Sequence, residues 1–196
     1  MARLKIGLLG GSFNPAHDGH RHISLLALKQ LRLDQVWWLV SPQNPLKPRA
    51  GMAPLAARLA GAGAFASHPR IHVSDLERRL GTQYTADTIA AIRERWPEPA
   101  FVWLMGADNL VQLPRWRRWR QIVETMPMAI FNRDRVGYRA LAGAAAARYG
   151  RNRVQRPAEL PLTAAPAWCF LFSRLHAASS SAIREGYKPP SNQASN

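Results

Sequence analysis

Short apolar runs alternate along the chain with segments of helical periodicity. Each apolar run has the length of a buried strand and is bounded by polar, glycine- or proline-containing turns. The predicted strands are Leu4–Leu9, Gln35–Val40, Arg70–Ser74, Ala100–Met105, Met128–Phe131 and Ala167–Phe172. The fourth run is almost entirely apolar, as expected for an interior strand of a parallel sheet.

Three segments between these runs favour helices, two because apolar residues recur on one helical face and Pro54–Ser67 because it is rich in alanine. They are Ile23–Leu31, with Asp18 as the expected N-cap, Pro54–Ser67 and Tyr84–Trp96. The span Gly137–Ala147 is a weaker helix candidate, and residues 148–165 are expected to be rich in loops.

The alternation predicts an α/β fold: a Rossmann-like, doubly wound and mostly parallel sheet with helices on both faces. Neither an internal repeat nor a linker divides the chain, so residues 1–187 are expected to form a single domain. Residues 188–196 are expected to form a disordered tail. Ligands of such sheets bind at the carboxyl ends of the strands. Polar loops follow strands one, two, four and six, and functional residues should therefore meet at that edge.

The loop after the first run is the strongest candidate site. Gly10–His22 spells Gly-Gly-Ser-Phe-Asn-Pro-Ala-His-Asp-Gly-His-Arg-His and connects a strand to a helix. The start of a helix attracts phosphate, and glycine allows a ligand to approach the backbone. At their spacing, His17 and His20 can face the same side and stabilise charge on a phosphoryl group. The alternative is a polar loop in which the histidines merely cap the helix.

Three other interpretations of this loop do not fit its residues. A Walker A loop requires Gly-Lys-Ser/Thr, and a dinucleotide fingerprint requires Gly-x-Gly-x-x-Gly. His17 and His20 also lack the glutamate of a zincin or a set of cysteines, so the sequence predicts no protein-held metal site here.

A second phosphate-binding candidate, Ser179–Arg184, follows the last apolar run. Serine hydroxyls and an arginine one turn later can bind phosphate oxygens, although the same residues could belong to an ordinary capped helix.

The chain is strongly basic. Lys and Arg number 27 and Asp and Glu number 12 among 196 residues, giving a formal net charge of +15. This charge favours anionic partners such as nucleotides, nucleic acid or an acidic membrane surface, although a general arginine bias would also produce it. Residues 114–120 suggest either nucleic-acid binding or an amphipathic helix. In the second interpretation Trp119 packs in the core, while Trp116 could stack on a flat ring.

Cys169 is the single cysteine, which excludes an intrachain disulfide and favours a reducing compartment. No apolar stretch is long enough for a signal-peptide core or a membrane span. We therefore expect a cytoplasmic protein without a membrane partner.

Several motifs together resemble a known family. Gly11–His20 matches the Gly-x-Phe-x-Pro-x-His-x-Gly-His motif of the HxGH nucleotidyltransferases, and Ser179–Arg184 resembles their Ser-Ser-Thr-x-Ile-Arg motif. Within that superfamily, three further features resemble bacterial nicotinate-nucleotide adenylyltransferases. They are Tyr84-Thr85-x-x-Thr88, Gly106–Asn109 and the spaced Trp116 and Trp119. The resemblance extends over residues 5–184.

The resemblance implies transfer of AMP from ATP to nicotinate mononucleotide, giving deamido-NAD and pyrophosphate. It implies Mg²⁺ held mainly by the ATP phosphates, and catalytic roles for His17, His20 and Arg184. The implied ATP-binding residues are Gly10, Gly11, Ser12, Phe13, His17, His20, Ser179, Ser180 and Arg184. The implied mononucleotide-binding residues are Lys47, Thr85, Asp108, Trp116 and Arg133.

The chain departs from the family pattern at two places near the second substrate. Leu46 precedes Lys47 where a histidine is common, and Arg117 follows Trp116 where an aromatic residue is common. Two alternatives stay open: a sister transferase acting on pantetheine phosphate or a cytidylyl substrate, and a basic nucleic-acid-binding module. The second alternative gives His17 and His20 no role, so we expect no nucleic-acid partner. The sequence leaves the oligomeric state and the acid-or-amide preference open.

Overall fold

The computed structural model of the protein describes residues 3–42, 51–132 and 137–172, and the strands in these ranges form a six-stranded parallel sheet. The strands are β1 (Lys5–Gly11), β2 (Gln35–Val40), β3 (Ile71–Ser74), β4 (Ala100–Gly106), β5 (Met128–Asn132) and β6 (Trp168–Phe172). Their order is β3-β2-β1-β4-β5-β6. This is the strand order of a doubly wound dinucleotide-binding fold, and it confirms the predicted fold class.

The helices largely follow the predicted periodic segments. They are α1 (Asp18–Gln30), α2 (Leu55–Ala66), α3 (Leu76–Arg79), α4 (Thr85–Arg95), α5 (Ala107–Gln112), α6 (Trp119–Thr125), α7 (Gly137–Leu141) and α8 (Ala144–Arg148). Short 3₁₀ turns occur at Leu113–Arg115, Gly150–Asn152 and Pro157–Leu162. The expected loop-rich character of residues 148–165 is thereby confirmed.

Two helix expectations were wrong in detail. The span 137–147 forms two short helices, α7 and α8, because Gly143 takes an extended conformation between them. Residues 114–120 do not form one amphipathic helix, since a 3₁₀ turn ends at Arg115 and α6 begins only at Trp119. Arg118 lies between them with φ of 53°, in the left-handed region.

Alternate residues of each strand enter one of two apolar layers, so both faces of the sheet are buried. Leu8, Trp103 and Ile130 pack on the face covered by α3 to α8, and Trp38 and Leu104 pack on the face covered by α1 and α2. Cys169 is buried on this second face.

No helix within the described ranges is long and apolar enough to cross a membrane. The predicted domain boundary at residue 187 and the tail 188–196 lie outside the described residues.

Candidate active site

The predicted site lies where the strand order changes direction, between β1 and β4. Leu9 pairs with Leu104, and each strand continues for two more residues, to Gly11 and Gly106. The two strands therefore end side by side. β4 passes directly into α5 at Ala107, and residues 12–17 connect β1 to α1. Gaps of this kind at the carboxyl ends of parallel strands are the usual ligand sites of the fold.

His17, rather than the predicted Asp18, is the N-cap of α1. The backbone of His17 is extended (φ −156°, ψ 168°), while Asp18 is already the first helical residue. The Nδ1 atom of His17 accepts a hydrogen bond from the backbone N–H of Gly19 at 3.1 Å. The Nδ1 atom of His20 accepts one from the backbone N–H of His17 at 3.3 Å. Together these bonds form a reciprocal capping box built from two histidines.

The capping bonds determine the protonation pattern of both rings. Because each Nδ1 accepts a hydrogen bond, the proton of each neutral ring is assigned to Nε2. The ring centroids of His17 and His20 lie 4.0 Å apart, which confirms the predicted proximity of the two side chains. His17 is only 2% exposed, and His20 is half-buried. The pair thus provides two N–H donors at the positive end of α1.

The rings of Phe13 and Trp38 pack against the His20 ring. The Phe13 ring lies 4.6 Å from the His20 ring and stacks on Trp38 at 5.0 Å. Trp38 Nε1 donates to Ser24 Oγ at 2.7 Å, and Ser24 Oγ donates to the backbone carbonyl of His20 at 2.9 Å. Phe13 is 1% exposed, so the structure gives it a packing role beneath the histidine pair. Trp38 and Ser24 were not predicted as site residues, because the contact between them joins positions 14 residues apart and has no local signal.

The structure shows a packing reason for glycine at position 10. Gly10 and Gly11 belong to β1, where they pair with Leu39 and Val40. A Cβ atom on Gly10 would lie 2.8 Å from indole carbons of Trp103, so the neighbouring strand requires glycine there, and the approach of a ligand to this backbone stays a prediction. A Cβ atom on Gly11 would make an ordinary contact of 3.4 Å with the Phe13 ring.

Arg58 is a buried residue of the site that the sequence analysis missed. The guanidinium donates to the backbone carbonyls of Ser12 and Ser41 at 2.7 Å and to that of Pro42 at 3.0 Å. Its Nε atom donates to the carbonyl of Ala53 at 2.9 Å. A signal was available, because Arg58 is the only charged residue of the otherwise apolar α2.

The start of α4 and the segment before α6, residues 116–118, are in contact with each other. Thr85 is the first residue of α4, and Trp116 is half-buried against the core. The Arg117 guanidinium lies 4.7 Å from the centroid of the Tyr84 ring. Arg118 forms an ion pair with Asp87. These contacts bring the predicted positions 85 and 116 onto neighbouring segments.

The remaining predicted residues divide into two groups. Asp108 is half-buried in the first turn of α5, directly after β4. Lys47, Arg133, Ser179, Ser180 and Arg184 lie outside the described residues.

Ser41 is also in contact with a buried carboxyl group. Glu77 is 5% exposed, and its Oε2 atom has no hydrogen-bond partner among the residues that the structure describes. Burial raises the pKa of Glu77 to about 7, and a hydrogen bond with the Ser41 side chain lowers the pKa by less. Within the described ranges, His, Cys, Asp and Glu side chains do not gather in threes or more as a metal site would require.

Comparison with known proteins gives consistent results. A family model described as cytidylyltransferase-like matches residues 8–186. A probable nicotinate-nucleotide adenylyltransferase of Parvibaculum lavamentivorans is 54% identical over 93% of this chain and 92% of its own length. One from Cereibacter sphaeroides is 56% identical over 91% of this chain and 96% of its own. In fold, the chain resembles the Plasmodium falciparum nicotinic acid mononucleotide adenylyltransferase complexed with NaAD. The TM-score is 0.70 at 16% identity, over 93% of this chain and 83% of the other.

Proposed function

The chain belongs to the nicotinate-nucleotide adenylyltransferase family, and we propose that the turn from Ser12 to His20 carries out the family's reaction in this protein. The enzyme transfers AMP from ATP to nicotinate mononucleotide, and it releases deamido-NAD and pyrophosphate in NAD biosynthesis. The observation that carries the residue assignment is the reciprocal capping of His17 and His20, which assigns a proton to Nε2 of both rings.

The reaction requires positioning and charge stabilisation more than covalent chemistry by the protein. A phosphate oxygen of the mononucleotide attacks the α-phosphorus of ATP, the bond from that phosphorus to the bridging oxygen breaks, and pyrophosphate leaves with the electron pair. Negative charge grows on the α-phosphoryl oxygens and on the leaving group. Fixed N–H donors aimed at these oxygens lower the barrier without having to reorganise during the reaction.

His17 and His20 fit this role at the start of α1. Their Nε2–H groups and the positive end of the helix act in the same direction on a bound phosphate. We assign His20 to the α-phosphoryl group and His17 to a neighbouring ATP phosphate. Ser179, Ser180 and Arg184 complete the proposal as ligands of the β- and γ-phosphates, with hydroxyl donors and a guanidinium fork.

The second substrate is assigned to the segments that meet beside α4. Thr85 and Trp116 would bind the nicotinate carboxylate and ring, and Asp108 would bind the ribose. Lys47 and Arg133 would bind the phosphate of the mononucleotide. The contact of Arg117 with Tyr84 supports this arrangement, because it holds the Trp116 segment against the residue before Thr85.

Enzymes of this family use a divalent metal ion, and we propose Mg²⁺. The donor set of the described residues fits an ion held through substrate, since no three metal-ligating side chains gather there. Oxygen atoms of the ATP phosphates would supply most ligands, as Mg²⁺ prefers. Bound in this way, Mg²⁺ would neutralise charge on the departing pyrophosphate.

The proposed partners are therefore the two nucleotides, with no nucleic acid, and the proposed location is the cytoplasm. Burial raises the pKa of the Cys169 thiol to about 12, so this cysteine is an unreactive packing group compatible with a reducing compartment.

The first test is pyrophosphate release from ATP and Mg²⁺ with nicotinate mononucleotide or nicotinamide mononucleotide. We expect turnover with the acid substrate and a decrease in kcat of about 100-fold or more in His20→Ala, the usual effect of removing one preorganised donor. His72→Ala is the control, because this exposed histidine lies on the edge strand β3.

Each other outcome has a definite meaning. A preference for the amide would retain the mechanism but contradict the roles of Thr85 and Trp116. Equal rates in His20→Ala and His72→Ala would contradict the role of the turn, and no release with either mononucleotide would contradict the proposed function.

A further inference from the structure

Arg58 differs from the other arginines of the described chain in its burial. It is 4% exposed, and burial lowers the pKa of its guanidinium. No carboxylate in the described part of the chain forms an ion pair with it. Its charge is instead stabilised by four backbone carbonyls, those of Ser12, Ser41, Pro42 and Ala53.

These carbonyls belong to the two segments that are proposed to bind the two substrates. Ser12 begins the turn that carries His17 and His20. Ser41 and Pro42 follow β2 immediately and lead towards Lys47. The carbonyls of Ser12 and Ser41 both accept from the same nitrogen, Nη1, at 2.7 Å. A planar guanidinium holds several acceptors in a fixed relative geometry, and a lysine ammonium does not.

Further contacts join the same two segments. The backbone N–H of Ser41 donates to the carbonyl of Gly11 at 2.9 Å. Asn14 donates to the carbonyl of Gly51 at 3.0 Å and accepts from the backbone N–H of Ala53 at 3.2 Å. The turn after β1 is therefore connected to both ends of the segment between β2 and α2, with Arg58 at the centre of these contacts.

We infer that Arg58 is a positioning residue, which fixes the ATP-binding turn relative to the two ends of the segment between β2 and α2, the segment proposed to contribute Lys47 to the mononucleotide site. This inference rests on the proposed function. In-line transfer is fast only when the attacking oxygen and the α-phosphorus are held close together and aligned. Since Arg58 binds the backbone of both segments, its loss should impair the alignment even in molecules that remain folded.

The test compares Arg58→Met with Arg3→Met. Methionine keeps an unbranched side chain but removes every donor. Arg3 is a matched control, because it donates to the backbone carbonyls of Pro97, Glu98 and Pro99 at the opposite, amino edge of the sheet. For each protein, thermal unfolding, kcat, the KM of both substrates and the calorimetric affinity for a non-hydrolysable ATP analogue are measured. All kinetic measurements are made well below the unfolding transition.

For Arg58→Met we expect a decrease in kcat of tenfold or more, higher KM values for both substrates and weaker binding of the analogue. Arg3→Met should remain within twofold of the unaltered protein in each of these quantities. Arg58→Lys should recover part of the lost kcat, because one ammonium retains the charge but satisfies fewer carbonyls.

A lower unfolding temperature in Arg58→Met with unchanged kcat and KM would overturn the inference, because Arg58 would then be purely structural. If Arg58→Met does not fold, Arg58→Lys decides: unaltered kinetics overturn the inference, and a reduced kcat supports it. If the unaltered protein releases no pyrophosphate, the proposed function fails separately. Analogue binding then decides the inference, which is supported if Arg58→Met binds more weakly than Arg3→Met and overturned if the two bind equally.

Discussion

The tautomer of each histidine in the turn is determined by a hydrogen bond from a backbone N–H group rather than by one to a carboxylate. His17 and His20 each accept at Nδ1, so the same two hydrogen bonds that begin α1 also direct the ring protons to Nε2. The structural role and the proposed catalytic role of these residues therefore use opposite nitrogens of the same rings. Capping and phosphate binding, which were alternatives from the sequence alone, are therefore compatible in this geometry.

The buried carboxyl of Glu77 should make stability depend on pH. The pKa of this group is about 7 in the folded protein against an ordinary value of 4.5. Between these values the folded state binds more protons than the unfolded state, so the free energy of unfolding falls as pH rises. The decrease is about 3 kcal/mol between pH 4.5 and 7. Glu77→Gln should abolish this component, as measured by urea unfolding at several pH values.

Glu94→Gln, at an exposed position on α4, is the control for the removal of a carboxylate. It should retain the pH dependence of the unaltered protein. An identical slope between pH 5 and 7 in Glu77→Gln and the unaltered protein would show that Glu77 is not its origin.

Gly10→Ala should destabilise the protein by about 1–3 kcal/mol, because the new methyl group would overlap the Trp103 ring in a closely packed core. Gly61→Ala is the matched control. It makes the same chemical change in α2, where nothing lies within 4 Å of an added Cβ, and should stabilise the helix by up to about 1 kcal/mol. Chemical denaturation measures both changes, and equal stability of the two variants would disprove the proposed overlap.

At the scale of elements, the segment before α6 is held against α4 by two arginine contacts. Arg117 lies over the Tyr84 ring, and Arg118 forms an ion pair with Asp87. Both arginines are exposed, so the ion pair contributes little to stability. The two contacts instead hold Trp116 close to Thr85, because Trp116 is adjacent to Arg117 and Thr85 is adjacent to Tyr84. Arg117, which stands where an aromatic residue is common in the family, thus contacts the aromatic ring of Tyr84, the N-cap residue of α4.

Tyr84→Leu should increase the KM for nicotinate mononucleotide about 3- to 10-fold, in line with the loss of one cation–π contact. The KM for ATP should not change, because the turn that contains His17 and His20 is held by other contacts. Steady-state pyrophosphate release at varied concentrations of each substrate measures both constants. Tyr138→Leu, at a position that is 81% exposed, is the control. An equal increase in both KM values would place the effect of Tyr84 outside the mononucleotide site.

At the scale of the whole molecule, the strand order of the sheet determines where an anionic ligand would bind. A net charge of +15 favours many anionic partners, but within the described ranges only the carboxyl edge between β1 and β4 combines a helix start with a histidine pair. Arg117 and Arg118 contact Tyr84 and Asp87 at the start of α4. The expected absence of nucleic-acid and membrane partners stays a prediction.

The order and approximate limits of the strands were predictable from local patterns. Each of the six predicted strands is present within two residues of its expected ends, and the three main helices were also identified. The start of α1 was placed wrongly because Asp18 is a common N-cap type and His17 is an uncommon one. The positions of Ser179, Ser180, Arg184, Lys47 and Arg133 in the site stay predictions from sequence alone.

The sequence by itself determined the fold class, the turn that carries the two histidines and the family motifs, because each depends on residues close together in the chain. Only the tertiary structure decided the strand order, the need for glycine beside Trp103 and the contacts of Arg58. Arg58 reaches carbonyls 46 and 17 residues away. Local periodicity specifies which face of an element is buried, but which elements meet there depends on packing between distant segments, and this is formed only in the folded chain.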